Sequence, residues 1–136
     1  MKSTVFIASL VLAVPCFAGN FSYPEVTITT TSATTMTATG SVQGARYSND
    51  RLQSIGCSLK ATKPRLVGSS TLVGTCTAVD RAGVQLSCST ADAVLIEAMT
   101  TVGHTSTVSF TVDTGANATG DNCKTITVEN VSAAIK

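Results

Sequence analysis

Thr71-Leu72-Val73-Gly74-Thr75-Cys76-Thr77-Ala78-Val79-Asp80-Arg81-Ala82-Gly83-Val84-Gln85-Leu86-Ser87-Cys88 is the stretch that decides the fold. At its centre, Asp80-Arg81-Ala82-Gly83 fits a type I turn closed by a left-handed glycine, the residue that takes positive φ without a steric cost. The flanks then read as the two arms of an antiparallel hairpin. That register puts Val84, Leu86 and Cys88 on one face of the second arm and sets Cys76 opposite Cys88.

Working back from the hairpin, residues 60–70 contain Pro64 and Gly68 and read as a loop. Residues 53–59 read as a strand with Ile55, Cys57 and Leu59 on one face, and the run 43–51 before it is polar, with Gly44, Ser48, Asn49 and Asp50. Residues 25–30 and 36–42 both alternate with a period of two and read as strands that could pair as a hairpin. A stalk-like Ser/Thr linker is the alternative for residues 27–39, and the regular spacing of Val, Ile, Met and Ala favours strands.

Working forward, Ser89 and Thr90 offer N-caps for a helix with Asp92 in its first turn. Ala91, Val94, Leu95, Ala98 and Val102 fall at helical spacing, and Gly103 is a natural stop. Residues 107–113 alternate, with Val108, Phe110 and Val112 on one face. Residues 122–130, carrying Ile126 and Val128, form a last strand after a polar turn at 114–121. The expected fold is α+β and mainly β: a single antiparallel sheet, or a small sandwich, of about seven strands with one helix. Hydrophobic residues at 43% and charged residues at 12% suit a packed sheet protein and argue against disorder.

Residues 1–18 read as a signal peptide: Lys2, an apolar run from Val5 to Val14, Pro15 as helix breaker, then Cys16-Phe17-Ala18 before the expected cut. The run is short for a membrane span, which takes roughly 20 apolar residues, and no second run follows. A mature domain at 19–136, exported to the periplasm or medium and without a transmembrane segment, is expected. Lipidation at Cys16 fits poorly, because Pro15 and Ala13 stand where a small residue and a leucine belong.

Cleavage removes Lys2, so nine basic residues become eight against eight acidic, and the mature chain is neutral. It also removes Cys16, leaving Cys57, Cys76, Cys88 and Cys123, an even set that points to two disulfides. No C-x-x-C is present and His104 is the single histidine, so no zinc site or cofactor is implied. Cys57–Cys76 with Cys88–Cys123 is the favoured pairing; the turn register leaves Cys76–Cys88 with Cys57–Cys123 open.

No catalytic set is recognisable. His104 lacks a G-x-S-x-G partner and reads as a helix-end residue. Asp80, Asp92 and Asp121 read as turn and cap residues, and no tryptophan offers a sugar platform. Asp113, Asn117, Asp121 and Asn122 bracket a loop with oxygen donors, which ordinary turn chemistry explains as well as calcium does. The charge distribution is uneven: Arg46, Arg51, Lys60, Lys63 and Arg65 lie against Asp50 alone. These five are the candidate binding residues, for an acidic protein or an anionic envelope component. Nucleic acid does not fit a neutral chain so poor in aromatics.

Gly40-Ser41, Ala45-Arg46, Ser48, Asp50, Gln53 and Ile55-Gly56-Cys57, followed by Cys76, Gly83 and Cys88-Ser89-Thr90, resemble a group of short exported proteins of Gram-negative bacteria. The resemblance spans about residues 40–129. It implies export and a structural role for the cysteines, and it implies no catalytic residues. The expectation is an exported binding module, an inhibitor or adaptor of the envelope. A small secreted hydrolase and a structural subunit assembling through sheet edges are the alternatives.

Overall fold

Period-two alternation puts every second residue of a strand on one face, and here seven strands use that face to build a shared core. A computed structural model describes residues 23–65, 67–115 and 122–130. Strands β1 (Thr27–Ser32) and β2 (Thr35–Ser41) pair as a hairpin, so the threonine-rich segment is sheet and not stalk. A short helix α1 (Val42–Arg46) follows. Then come β3 (Ser54–Thr62), β4 (Thr71–Val79), β5 (Gln85–Thr90), helix α2 (Ala93–Thr100), β6 (Ser106–Asp113) and β7 (Cys123–Asn130).

The expectation of a single sheet is corrected: there are two antiparallel sheets, ordered β1-β2-β6-β7 and β3-β4-β5. The chain leaves the first sheet at Ser41 and re-enters it at β6, which pairs directly with β2 from Ser41↔Thr107 to Thr35↔Asp113. Everything between forms its own three-stranded meander. Alternation reveals strands but not partners, so this insertion was hidden in the sequence. Both sheets contribute to one core, in which Ala38, Val108, Phe110 and Val112 meet Ile55, Cys76, Ala78, Leu86 and Cys88.

The β4–β5 hairpin has the expected turn. Gly83 sits at φ +81°, and its N–H donates to the Asp80 carbonyl at 3.0 Å. The Asp80 carboxylate accepts from the backbone N–H groups of Ala82 and Val84, both at 2.9 Å. Cys76 does lie opposite Cys88, as the turn register requires. The bridges nevertheless run Cys57–Cys76, with Cα atoms 4.0 Å apart, and Cys88–Cys123, at 5.0 Å. The first ties neighbouring strands of one sheet. The second joins the two sheets, assisted by the Asn122 N–H donating to the Ser89 carbonyl at 3.0 Å.

Four local expectations are corrected. Among the described residues there are two helices, not one: the Ser41 hydroxyl accepts from the Gly44 N–H and starts α1 at the head of the polar run. Ser89 and Thr90 do not cap α2, because they end β5 and Thr90 is buried. Asp92 is the N-cap, accepting from the N–H groups of Val94 and Leu95 at 2.9 and 3.1 Å. The buried face of α2 is Ile96 and Met99, while Ala91 and Val94 face solvent. Finally, β3 continues to Thr62, so Lys60 stands on a strand, and the expected loop begins at Lys63.

The chain before β1 packs across β2. A Cβ on Gly40 would come within 2.8 Å of the Val26 Cα, a backbone atom that cannot move aside, so glycine is what permits this approach. The turn at 114–121 lies largely outside the described residues, as does the expected leader at 1–18.

Candidate functional site

The corner around α1 gathers Tyr23, Glu25, Tyr47, Asp50 and Arg81. The Ser41 N–H donates to the Pro24 carbonyl at 3.1 Å, which fixes the N-terminal segment beside the helix. After α1, Ser48 turns the chain back by donating from its hydroxyl to the Ala45 carbonyl at 2.9 Å and to Asp50. Asp50 then organises the next turn. Its Oδ1 accepts from the N–H groups of Leu52 and Gln53 at 2.9 and 3.2 Å, and its Oδ2 accepts from the Gln53 side-chain amide at 2.7 Å. The buried Gln53 in turn accepts from the Val26 N–H at 2.7 Å. Arg51, between them, takes φ +57°, a left-handed conformation that these bonds hold in place.

A groove of about 320 Å³ opens on this corner, with Tyr23, Tyr47, Glu25, Asn49, Asp50 and Arg81 among its lining residues. Tyr47 is 70% exposed. The Arg81 guanidinium reaches the Glu25 carboxylate at 3.9 Å, an exposed pair at the groove. Beyond Tyr47 lies a second hollow of about 220 Å³, where His104 and Thr105 meet Val42, Gln43 and Arg46.

The Gln53 amide, then the Leu52 N–H, hold the Asp50 carboxyl down to about 2, against an opposing effect of desolvation. A carboxylate so engaged has no proton to give near neutral pH. The His104 hollow has no carboxylate among its lining residues, so nothing there orients the imidazole as a base. Among the described residues no three metal-ligating side chains cluster. Asp113 accepts from the Gly115 N–H at 2.9 Å in an ordinary Asx turn, and Asn117 and Asp121 lie outside the described residues.

The five basic candidates do not form one patch. Arg46 ends α1 and Arg51 precedes β3, so both belong to the corner. Lys60 stands near the far end of β3, and Lys63 and Arg65 follow it in the β3–β4 loop. At about 3.3 Å per residue, β3 spans roughly 26 Å between the corner and the loop that carries Lys63 and Arg65. Sequence proximity therefore combined two sites.

Sequence reasoning missed that Tyr23, Tyr47 and Arg81 line one groove. Arg81 read as a turn residue, because nothing local shows that the β4–β5 turn reaches the N-terminal segment. The usable signal was that both tyrosines of the chain flank the α1 segment. Compared with known protein families, curated proteins and solved structures, the chain finds no match.

Proposed function

We propose that the protein is an exported binding module that takes a polar segment of an envelope partner into the groove beside α1. The observation that carries this reading is the convergence of Tyr23, Tyr47 and Arg81 beside a carboxylate whose oxygens are already engaged. Tyrosine supplies large contact area at low conformational cost, and arginine supplies a planar fork of donors. The leader-like residues 1–18 and the two bridges of the folded domain support export.

Co-purification from envelope and medium extracts tests the reading, using tagged mature protein and a variant carrying Tyr47→Ala and Arg81→Ala. A stoichiometric partner captured by the parent and lost by the variant is the expected result. No partner, or equal capture by both proteins, overturns it.

Self-assembly has one observation in its favour. Strand β1 is a sheet edge without a charged residue, whereas β7 carries Lys124 and Glu129. Sedimentation at high protein concentration decides this, because a strict monomer removes it.

A further inference from the structure

Outward from Leu59 and Gly74, the β3–β4 hairpin leaves the core behind. Gly74 itself is buried under Met99 of α2. Beyond it Leu59, Lys60, Ala61 and Thr62 on β3, and Thr71, Leu72 and Val73 on β4, are exposed without alternation. A strand lying on a core alternates, so these residues form a two-stranded arm that borders α2 at Leu72 near its base and opens on both faces towards its tip. The register places Ala61↔Leu72 on one face and Lys60↔Val73 on the other.

The composition of the arm is as unusual as its position. Of the large apolar residues exposed in the described chain, Leu59, Leu72, Val73 and Val67 belong to it, and Val67 near the tip is fully exposed. Lys60, Lys63 and Arg65 are its charges, and no acidic residue occurs between Leu59 and Val73. None of the three cations is in an ion pair among the described residues. A neutral mature chain thus carries a local charge of +3 at the end of a projecting apolar hairpin.

We propose that this arm docks the protein on an anionic phospholipid surface. Lys60, Lys63 and Arg65 meet the headgroup phosphates, and Val67 and Leu72 enter the boundary between headgroups and acyl chains. Charge complementarity selects an anionic partner. The two-sided exposure selects the lipid. One rigid protein face can cover only one side of a two-stranded arm, whereas a fluid interface surrounds both. The inference does not rest on the groove, which lies at the other end of β3.

Vesicle co-sedimentation tests it, comparing equal parts phosphatidylglycerol and phosphatidylcholine with phosphatidylcholine alone. The mature protein is expected to sediment with the anionic vesicles, and to be released by salt as the headgroup potential is screened. Each cation near such a surface is worth about a fivefold change in partitioning, so neutralising Lys60, Lys63 and Arg65 to Ser should cost roughly a hundredfold. Val67→Ser should weaken binding while leaving the salt dependence unchanged, and Lys124→Ser, on exposed β7, should change nothing. Thiol titration confirms that each variant keeps both bridges. Equal binding to both vesicle types, no binding to either, or undiminished binding by the triple variant overturns the proposal. Retention on a polyglutamate matrix without preference for anionic vesicles assigns the arm to an acidic protein and overturns it too. Capture of a partner through Tyr47 and Arg81 is read separately and stands or falls alone.

Discussion

Strands β6 and β3 make the contrast between the two sheets concrete. Along β6 burial alternates without a break, with Ser106, Val108, Phe110 and Val112 inward. Along β3 it fades after Ile55, and the outer half meets solvent on both sides. The four-stranded sheet turns a uniform face to water. Thr27, Thr39, Ser109 and Thr127 form one cross-strand row, and Thr29, Thr37, Thr111 and Thr125 form the next. Hydroxyls bond across the strands at Thr37–Thr111 and Thr39–Ser109. One sheet is therefore held by apolar burial beneath a hydroxyl-rich outer face that carries Glu129 near its end. The other buries Ile55, Ala78 and Leu86 in the shared core, leaves its outer half exposed, and adds the Cys57–Cys76 bridge between its strands. Low charge and high threonine content belong to the first sheet, whereas the exposed apolar and basic residues belong to the second.

The largest expected effect is that of Phe110→Ala. This side chain is completely buried in the core that both sheets share. Its truncation should cost about 3–5 kcal/mol in denaturant unfolding and loosen both sheets together. Next, replacing Cys57 and Cys76 by Ser should cost roughly 2–4 kcal/mol. Hydrogen exchange should then rise along β3 and β4 while β6 stays protected; equal loss of protection in β6 would break the contrast. Gly40→Ala comes third, at about 1–3 kcal/mol, because the new methyl meets the Val26 backbone. Its effect should fall on the four-stranded side, as loss of protection at β1 and β2.

The smallest effect is expected at Asp50, a half-buried carboxylate that joins the β3 entry to the N-terminal segment through Gln53. Its pKa is depressed in the folded protein, so its contribution is complete above the ordinary 3.8 and disappears as pH falls through about 2. Asp50→Asn should lower the melting temperature at neutral pH. The gap from the parent should close between about pH 4 and pH 2, and a gap constant across that range would show that Asp50 acts by another route.

Period-two runs and the Asp80–Gly83 turn made the strands readable, because both signals are local. The two-sheet arrangement was not, because β2 finds β6 across more than sixty residues. Helix α1 was hidden because five residues containing Gly44 give no periodicity, and its start depends on a single serine cap. The α2 face was misjudged by rotation: small Ala91 and Ala98 and exposed Val94 fit an apolar stripe as well as Ile96 and Met99 do. Of the candidate site, the sequence exposed the cations but not their separation, since charge spacing along the chain carries no direction. The groove depends on Tyr23, Tyr47 and Arg81 arriving from three segments, and only the tertiary structure joins them.

Cys57, Cys76 and Cys88 occupy one row across three adjacent strands, so Cys76 has a cysteine beside it on either hand. Facing residues on paired strands stand about 4.5–5.5 Å apart, within bridging range on both sides. An oxidant that joins the cysteines nearest in sequence would close Cys76 to Cys88 and leave the β4–β5 register intact. The hairpin therefore carries no means of telling the wrong partner from the right one. That information arrives with β7, whose Cys123 claims Cys88 only when the second sheet has met the first. The Cys88–Cys123 bond thus records, in covalent form, that the two sheets have met.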